Sequence, residues 1–491
     1  MRVIFLFLFF ISFISQGQSI EENTSRLANS DQVRDGRFSF YAVDLASGKS
    51  IVSHDIDRKM SPASTMKLLT TYAALDILGV DFQFKTRVGY QGEIDEQGTL
   101  HGNVLIIAGG DPVLDAEVFQ KNYGDGSPFT SQILKALQER GVKKIEGRVL
   151  IDESYYSGID VPDEWTWQDM GNYYGAGAHA FTFNENRFNI YFKSGSQPGA
   201  LTRIVRTEAV LKSTSPINEV RSAAINSDQA YVYAAPKSDR MTVHGEIPLN
   251  KSEFKVKAAM SNPAAEFEAR LEQAFIASGL RYEKKEIEIK DRSDDGSPSM
   301  TEILVMESPK LIEITAYTNL KSNNLFAEHL LRQIARKRTG EGSFNKGVEV
   351  IEEWIQKKSI STRGLDVKDG SGLSRANLVS ARLMLDLLES LSKETYFDEF
   401  MRALPCAGKS GSMRRIGAGT AISDRMFAKT GYIEGVRAYA GYLEKKEGGL
   451  ISFCIMANDY EMNASAMRKE MTKLMVQLSQ VESPKLLSPK K

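Results

Sequence analysis

The sequence predicts an α+β protein: an antiparallel sheet flanked by helices, assembled from two separate stretches of chain with a strand-rich region inserted between them. Three observations predict it. Residues 36–80 read as two short strands, FSFYAVD and KSIVS, followed by a helix. Residues 301–480 return to long amphipathic helices and paired strands, while 84 to about 300 are strand-rich. Residues suited to chemistry stand on both sides of that middle region, with little inside it, which favours an insertion over an independent unit.

The first residues, MRVIFLFLFFISFISQGQS, carry one Arg, an apolar run from Val3 to Ile14 and then Ser15-Gln16-Gly17. A charged start, a short apolar core and small residues at the cut describe a secretory leader over 1–17. The run is short for a bilayer span, which takes ~20 residues; an uncleaved anchor is the alternative. No Cys stands near the cut, so a lipid anchor is not expected. Export is the expected fate, periplasmic or extracellular.

In the second stretch, NLFAEHLLRQIARK (324–337) and LVSARLMLDLLESLSK (378–393) have helical periodicity, and VRAYAGYL and LISFCIMA read as paired strands around Gly448-Gly449. The helix expected over 463–480 sets Met467, Met471, Leu474 and Leu478 on one face. Residues 481–491, ending in SPKLLSPKK, are expected to be disordered.

A formal net charge of −1 over 491 residues leaves no electrostatic footprint for nucleic acid. Two cysteines, Cys406 and Cys454, make no disulfide framework; they either pair or remain free thiols. The five histidines (His54, His101, His179, His244, His329) show no metal-ligand spacing, so no cofactor is expected.

Ser64-Thr65-Met66-Lys67 is the first chemical motif. Ser61-Pro62 reads as a helix start, with Ser61 as N-cap and Pro62 at the first helical position. Ser64 then falls in the first turn, where its own N–H is unpaired and able to stabilise an oxyanion. Three residues on, Lys67 shares its face and reaches the hydroxyl as a base. A surface Ser and Lys on an ordinary helix is the bland alternative, and the same spacing recurs at Ser252, Ser390 and Ser488. Ser322-Asn323-Asn324 precedes the 324–337 helix, where Ser and Asn are also ordinary caps; Ser343-Phe344-Asn345 repeats the pattern. Lys429-Thr430-Gly431 sits between strand-like flanks. Gly431 there allows another backbone to approach closely. A peptide can pair with such a strand while Lys429 and Thr430 bind a carboxylate.

Jointly and in this order, the three motifs are the signature set of penicillin-binding proteins and serine β-lactamases. With the long gap from Ser64 to Ser322, and with GGDPVL (109–114), GRVLIDES (147–154), DEWTWQDMGNYYGAGAHAFTFNEN (163–186), KDGSGLSR (368–375) and GKSGSMRR (408–415), the chain resembles the D-alanyl-D-alanine carboxypeptidase/endopeptidase family, the class C low-molecular-mass penicillin-binding proteins. The resemblance covers nearly the whole chain after the leader.

It implies a β-lactamase/transpeptidase-like catalytic domain over 18–83 and 300–480. It implies two nested, mostly β insertions, one over 84–185 and 259–299, the other over 186–258. It also implies roles: Ser64 as acyl nucleophile, Lys67 as its base, Ser322 as proton relay, Asn324 orienting Lys67 and the substrate amide. Lys429 and Thr430 would hold the substrate carboxylate beside Gly431. The backbone N–H groups of Ser64 and Tyr432 would form the oxyanion hole. For Lys67 to be neutral near pH 7 rather than ~10.4 costs roughly 4 kcal/mol. The implied partners are peptidoglycan stem peptides and cross-links, with β-lactams as acylating inhibitors and no nucleic acid.

Tyr432 stands where the family often has Thr, which removes or relocates one hydroxyl that could grip a terminal carboxylate. Glu246-Ile247-Pro248-Leu249-Asn250 looks like a class A β-lactamase deacylating element but precedes Ser322, the wrong order for one. Gly408-Lys409-Ser410 lacks the upstream Gly of a phosphate loop, Ala403 standing there. The alternative functions are a β-lactamase and a non-catalytic wall-binding protein on the same fold.

Overall fold

The computed structural model describes residues 19–210, 216–287 and 299–481. The expected leader, and all of the expected tail except Val481, lie outside these residues. Among the described residues no helix is long and apolar enough to cross a membrane.

The frame is a five-stranded antiparallel sheet in the order Met426–Ile433, Val436–Glu444, Leu450–Asn458, Arg37–Asp44, Lys49–His54. The early and late parts of the chain therefore share one sheet, with Arg37 opposite Asn458 and Asp44 opposite Ile451. Side chains alternate across a strand, and the alternation divides the core. Phe38, Phe40, Phe453 and Ile455 pack with Met467, Met471 and Leu478 of helix Ala464–Leu478. Cys454 and Met456, on the opposite face, enter the larger core with helices Met66–Leu78, Asn324–Thr339 and Ala381–Leu391. These helices start where polar caps allow: Asn323 accepts from Phe326 N–H, Ser380 from Leu383 N–H and Asn463 from Ala466 N–H. Such a cap contributes about 1 kcal/mol. Cys406 and Cys454 are both free and buried.

The middle region holds a six-stranded sheet, Arg281–Lys284, Lys144–Gly147, Thr99–Ile107, Lys85–Ile94 and Thr301–Glu307 in order, with Val149–Asp152 also paired to Thr99–Ile107. Two three-stranded sheets follow, one of Ile217–Ala223, Gln229–Ala234 and Met241–Pro248, the other of Arg187–Lys193, Arg203–Thr207 and Phe254–Ala259. The strand-rich reading passed over two helices here, Phe129–Glu139 and Pro263–Ala277, which meet through stacked Phe129 and Phe267 rings.

Thr301–Glu307, expected to lie in the second catalytic stretch, pairs antiparallel with Lys85–Ile94 of the six-stranded sheet. Beside these strands Phe84 N–H donates to Ser308 Oγ and Ser308 N–H to the Phe84 carbonyl, each at 2.9 Å.

Candidate active site

Ser64 does not sit where a Ser61 cap would put it. Asn458, at the end of a central strand, accepts from Ser61 N–H at 2.7 Å and donates to the Ser61 carbonyl at 3.1 Å. With its backbone committed to the sheet, Ser61 cannot start a helix, and its hydroxyl caps nothing. The chain instead forms a 3-10 turn, Ala63–Thr65, before the helix Met66–Leu78. The Thr65 hydroxyl closes that turn on the Pro62 carbonyl at 2.7 Å. Ala63 has φ 44°, a left-handed conformation costing about 1–3 kcal/mol that surrounding packing must sustain.

Lys67, fully buried, donates to Ser64 Oγ at 3.0 Å, Asn324 Oδ1 at 2.6 Å and the Ser371 carbonyl at 2.7 Å. These acceptors use all three ammonium hydrogens. Burial drives the group down to about 7, against Asp369 and Glu328, which favour its charge. Asn324 is the first residue of its helix, and its amide nitrogen donates to the Tyr174 carbonyl of the insertion at 2.8 Å. Its oxygen is thereby left to face Lys67.

Ser322 is not the N-cap of the helix that follows it. It ends helix Leu311–Lys321 in the left-handed conformation, φ 59° and ψ 40°. Asn323 does the capping, which leaves the Ser322 hydroxyl to accept from Lys429 Nζ at 2.8 Å. Lys429 is also fully buried and donates to the Thr430 carbonyl at 2.8 Å. Burial and the nearby Lys67 charge push it well below the usual lysine range.

The strand Met426–Ile433 lies at the edge of the five-stranded sheet. A Cβ on Gly431 would come within 2.5 Å of the Pro62 carbonyl, so the close approach expected of this glycine is made by the turn that carries Ser64. Thr430 Oγ1 hydrogen-bonds Ser412 Oγ at 2.8 Å. Tyr432 is exposed, its ring beneath the Arg437 guanidinium at 4.5 Å.

The eight residues named from the sequence therefore converge, but motif reading missed others. Glu328, buried one turn beyond Asn324, accepts from Gly370 N–H at 2.9 Å and Ser371 N–H at 2.8 Å. Burial and Asp369 push its carboxyl up, against the two amide donors and Lys67. Asp369 accepts from Gly372 N–H, Ser374 N–H, Asn377 and Trp165 Nε1. The available signals were the four-residue spacing from Asn324 to Glu328 and the turn-rich KDGSGLSR segment. Ser412 lay in GKSGSMRR, which carried resemblance but no assigned role.

The sheet, the helix behind it and a serine held by a lysine of weakened basicity define a class: enzymes that handle acyl groups on serine without histidine. Residues 20–481 match the model of the D-Ala-D-Ala carboxypeptidase 3 (S13) family. The chain is 28% identical over 432 residues to a D-alanyl-D-alanine carboxypeptidase of Actinomadura sp. (strain R39), covering 85% of this chain and 77% of that one. It is 26% identical over 434 residues to the D-alanyl-D-alanine carboxypeptidase DacB of Haemophilus influenzae, covering 86% and 85%. The fold is shared with the crystal structure of penicillin binding protein 4 (dacB) from Haemophilus influenzae, at TM-score 0.79 and 24% identity over 93% of this chain and 99% of that one. The chain belongs to the D-Ala-D-Ala carboxypeptidase 3 (S13) family. It is a serine-type DD-peptidase, a hydrolase on a β-lactamase/transpeptidase-like fold.

Proposed function

We propose that the enzyme cleaves D-alanyl-D-alanine bonds of peptidoglycan, both at stem-peptide ends and in cross-links, through an acyl-enzyme on Ser64. The observation that carries this is the 3.0 Å contact between Ser64 Oγ and a buried Lys67 held near neutrality. Neutral Lys67 takes the Ser64 proton as Oγ attacks the penultimate carbonyl carbon. Backbone N–H groups of Ser64 and Tyr432 receive the oxyanion; each such donor is worth about 3–4 kcal/mol. The proton passes by way of Ser322 to the leaving amine, and the C–N bond breaks. Water then hydrolyses the ester and restores Ser64.

Lys429 and Thr430 hold the substrate carboxylate, and Ser412, already bonded to Thr430, offers a second hydroxyl in place of the one absent at Tyr432. A substrate peptide extends the sheet along the open edge at Gly431. A relative of the same fold has been crystallised with a β-lactam, and the same acylation is expected here. The leader-like first residues support export, with the periplasm as the working compartment. The five-stranded sheet and its helices form the catalytic unit, interrupted between Phe84 and Ser308 by two nested inserted units.

The test is incubation of the purified protein with a fluorescent penicillin, followed by intact mass and peptide mapping over time. A stable adduct on Ser64, absent in Ser64→Ala, supports the reading. Rapid turnover without an adduct points to a β-lactamase, and neither adduct nor turnover to a wall-binding protein.

A further inference from the structure

Lys67 has three hydrogen-bond acceptors, and two of them, Ser64 and Asn324, belong to the motifs. The third, the Ser371 carbonyl at 2.7 Å, belongs to a loop with no catalytic side chain of its own. A backbone carbonyl aims only as well as its peptide is held. The Ser371 N–H and the preceding Gly370 N–H both donate to Glu328, one to each carboxylate oxygen. The Gly370 carbonyl accepts from Thr70 at 2.6 Å, on the helix that carries Lys67. Glu328 itself is fully buried on the helix that begins with Asn324, one turn further along. One helix thus presents Asn324 directly to Lys67 and Glu328 to the loop that supplies the remaining acceptor.

We infer that Glu328 is a positioning residue for acyl transfer: it holds the Gly370 and Ser371 N–H groups and, with Asp369, which holds the Gly372 N–H of the peptide carrying the Ser371 carbonyl, sets that carbonyl toward Lys67 Nζ, while its charge when ionised helps keep Lys67 basic enough to accept the serine proton. The inference rests on the proposed role of Lys67 as base. Both Glu328 oxygens serve N–H donors, which with Lys67 favour the ionised carboxylate, while burial and Asp369 push the group up to about 8, so that Glu328 and Lys67 titrate as a pair. The charged groups facing Glu328 are Lys67 and Asp369, with Arg332 one turn further along the same helix. Asp369 accepts from Gly372 N–H, in the peptide that carries the Ser371 carbonyl, and from Ser374 N–H, Asn377 and Trp165.

Glu328→Gln keeps the shape, removes the charge and turns an amide NH₂ toward a backbone donor. The experiment measures fluorescent-penicillin acylation against concentration and pH for wild type, Glu328→Gln, Glu328→Asp and Lys67→Ala. The Glu328 charge favours the protonated form of Lys67, and an opposite charge at close range moves a partner's titration by about 1–3 pH units. Glu328→Gln should therefore lower the acid midpoint of acylation by about one pH unit. It should lower the limiting acylation rate about tenfold or more and leave the noncovalent dissociation constant unchanged. Glu328→Asp, which keeps the charge, should retain the wild-type midpoint at a reduced rate. An unchanged midpoint in Glu328→Gln overturns the inference, whether or not the rate falls. So does a midpoint in Glu328→Asp that moves as far as in Glu328→Gln, because charge would not be the cause. If Glu328→Gln does not fold, the Glu328→Asp midpoint decides. Normal acylation by Lys67→Ala would instead remove the base assignment and this inference with it, an outcome separable from failure at Glu328 alone.

Discussion

The two walls of the cleft each bury a lysine, and they bury it differently. On the helical wall, Lys67 meets neutral acceptors at all three hydrogens, with the carboxylates Glu328 and Asp369 behind them. Desolvation and opposing charge balance, and the group settles near neutrality. On the strand wall, Lys429 has the Ser322 hydroxyl and the Thr430 carbonyl, and Lys67 is the charge it feels. A buried ammonium without a carboxylate is costly unless an anion joins it. The proposed roles follow this difference, proton exchange for Lys67 and receipt of a carboxylate for Lys429. Identical residues acquire different chemistry from the charge placed behind them.

Removing the two lysines separately tests this contrast. Lys67→Ala has the largest expected effect: acylation by penicillin and by D-Ala-D-Ala peptides should fall by about 10³–10⁴-fold, in the upper range for a general base. Rapid-quench or fluorescent-label kinetics measure it, and circular dichroism should show an unchanged fold. Lys429→Ala should cost about 100-fold, because a hydrogen bond to a charged group is worth about 1.5–3 kcal/mol. That loss should appear chiefly in substrate binding. A peptide amidated at its terminal carboxylate should show little further loss in Lys429→Ala; an equal loss with both peptides would mean that Lys429 does not read the carboxylate.

The smallest effect is in pH. Lys67 is driven down to about 7, so its proton-accepting form disappears as pH falls below that value, and acylation should drop about tenfold per pH unit there. If Lys429 binds the carboxylate in its protonated form, as proposed, binding of carboxylate substrates should weaken as pH rises, starting well below the usual lysine range because burial and Lys67 push the group down. A bell-shaped kcat/KM profile with the free acid, but only the rising limb with the amide, would assign one limb to each wall.

The side chains that meet the two ammonium groups were legible from residue type and order, since Ser64, Asn324 and Ser322 all lie in the three short motifs. Their local conformations were not. A Ser before a Pro reads as a cap, but Asn458, almost four hundred residues later, claims the Ser61 backbone. Ser322 reads as a cap because a left-handed φ at serine leaves no mark in composition. The central strands and Met467–Leu478 were visible because alternation and helical spacing report directly on burial. Glu328 and Asp369 were not, since a buried carboxylate and a solvated one look alike in sequence. The partner of Thr301–Glu307 was not legible either, because a strand's period says nothing about what it pairs with.

The order of the sheet has a consequence for when the enzyme becomes an enzyme. Leu450–Asn458 lies between Val436–Glu444 and Arg37–Asp44, and its last residue anchors the loop leading to Ser64. A chain emerging from the ribosome makes Ser64 early and that anchor very late. Until the anchor arrives, the early strands have no neighbour on that side and the nucleophile has no fixed turn. The turn that carries Ser64 is thus fixed only once the last part of the chain joins the sheet, after the residues between have had time to fold.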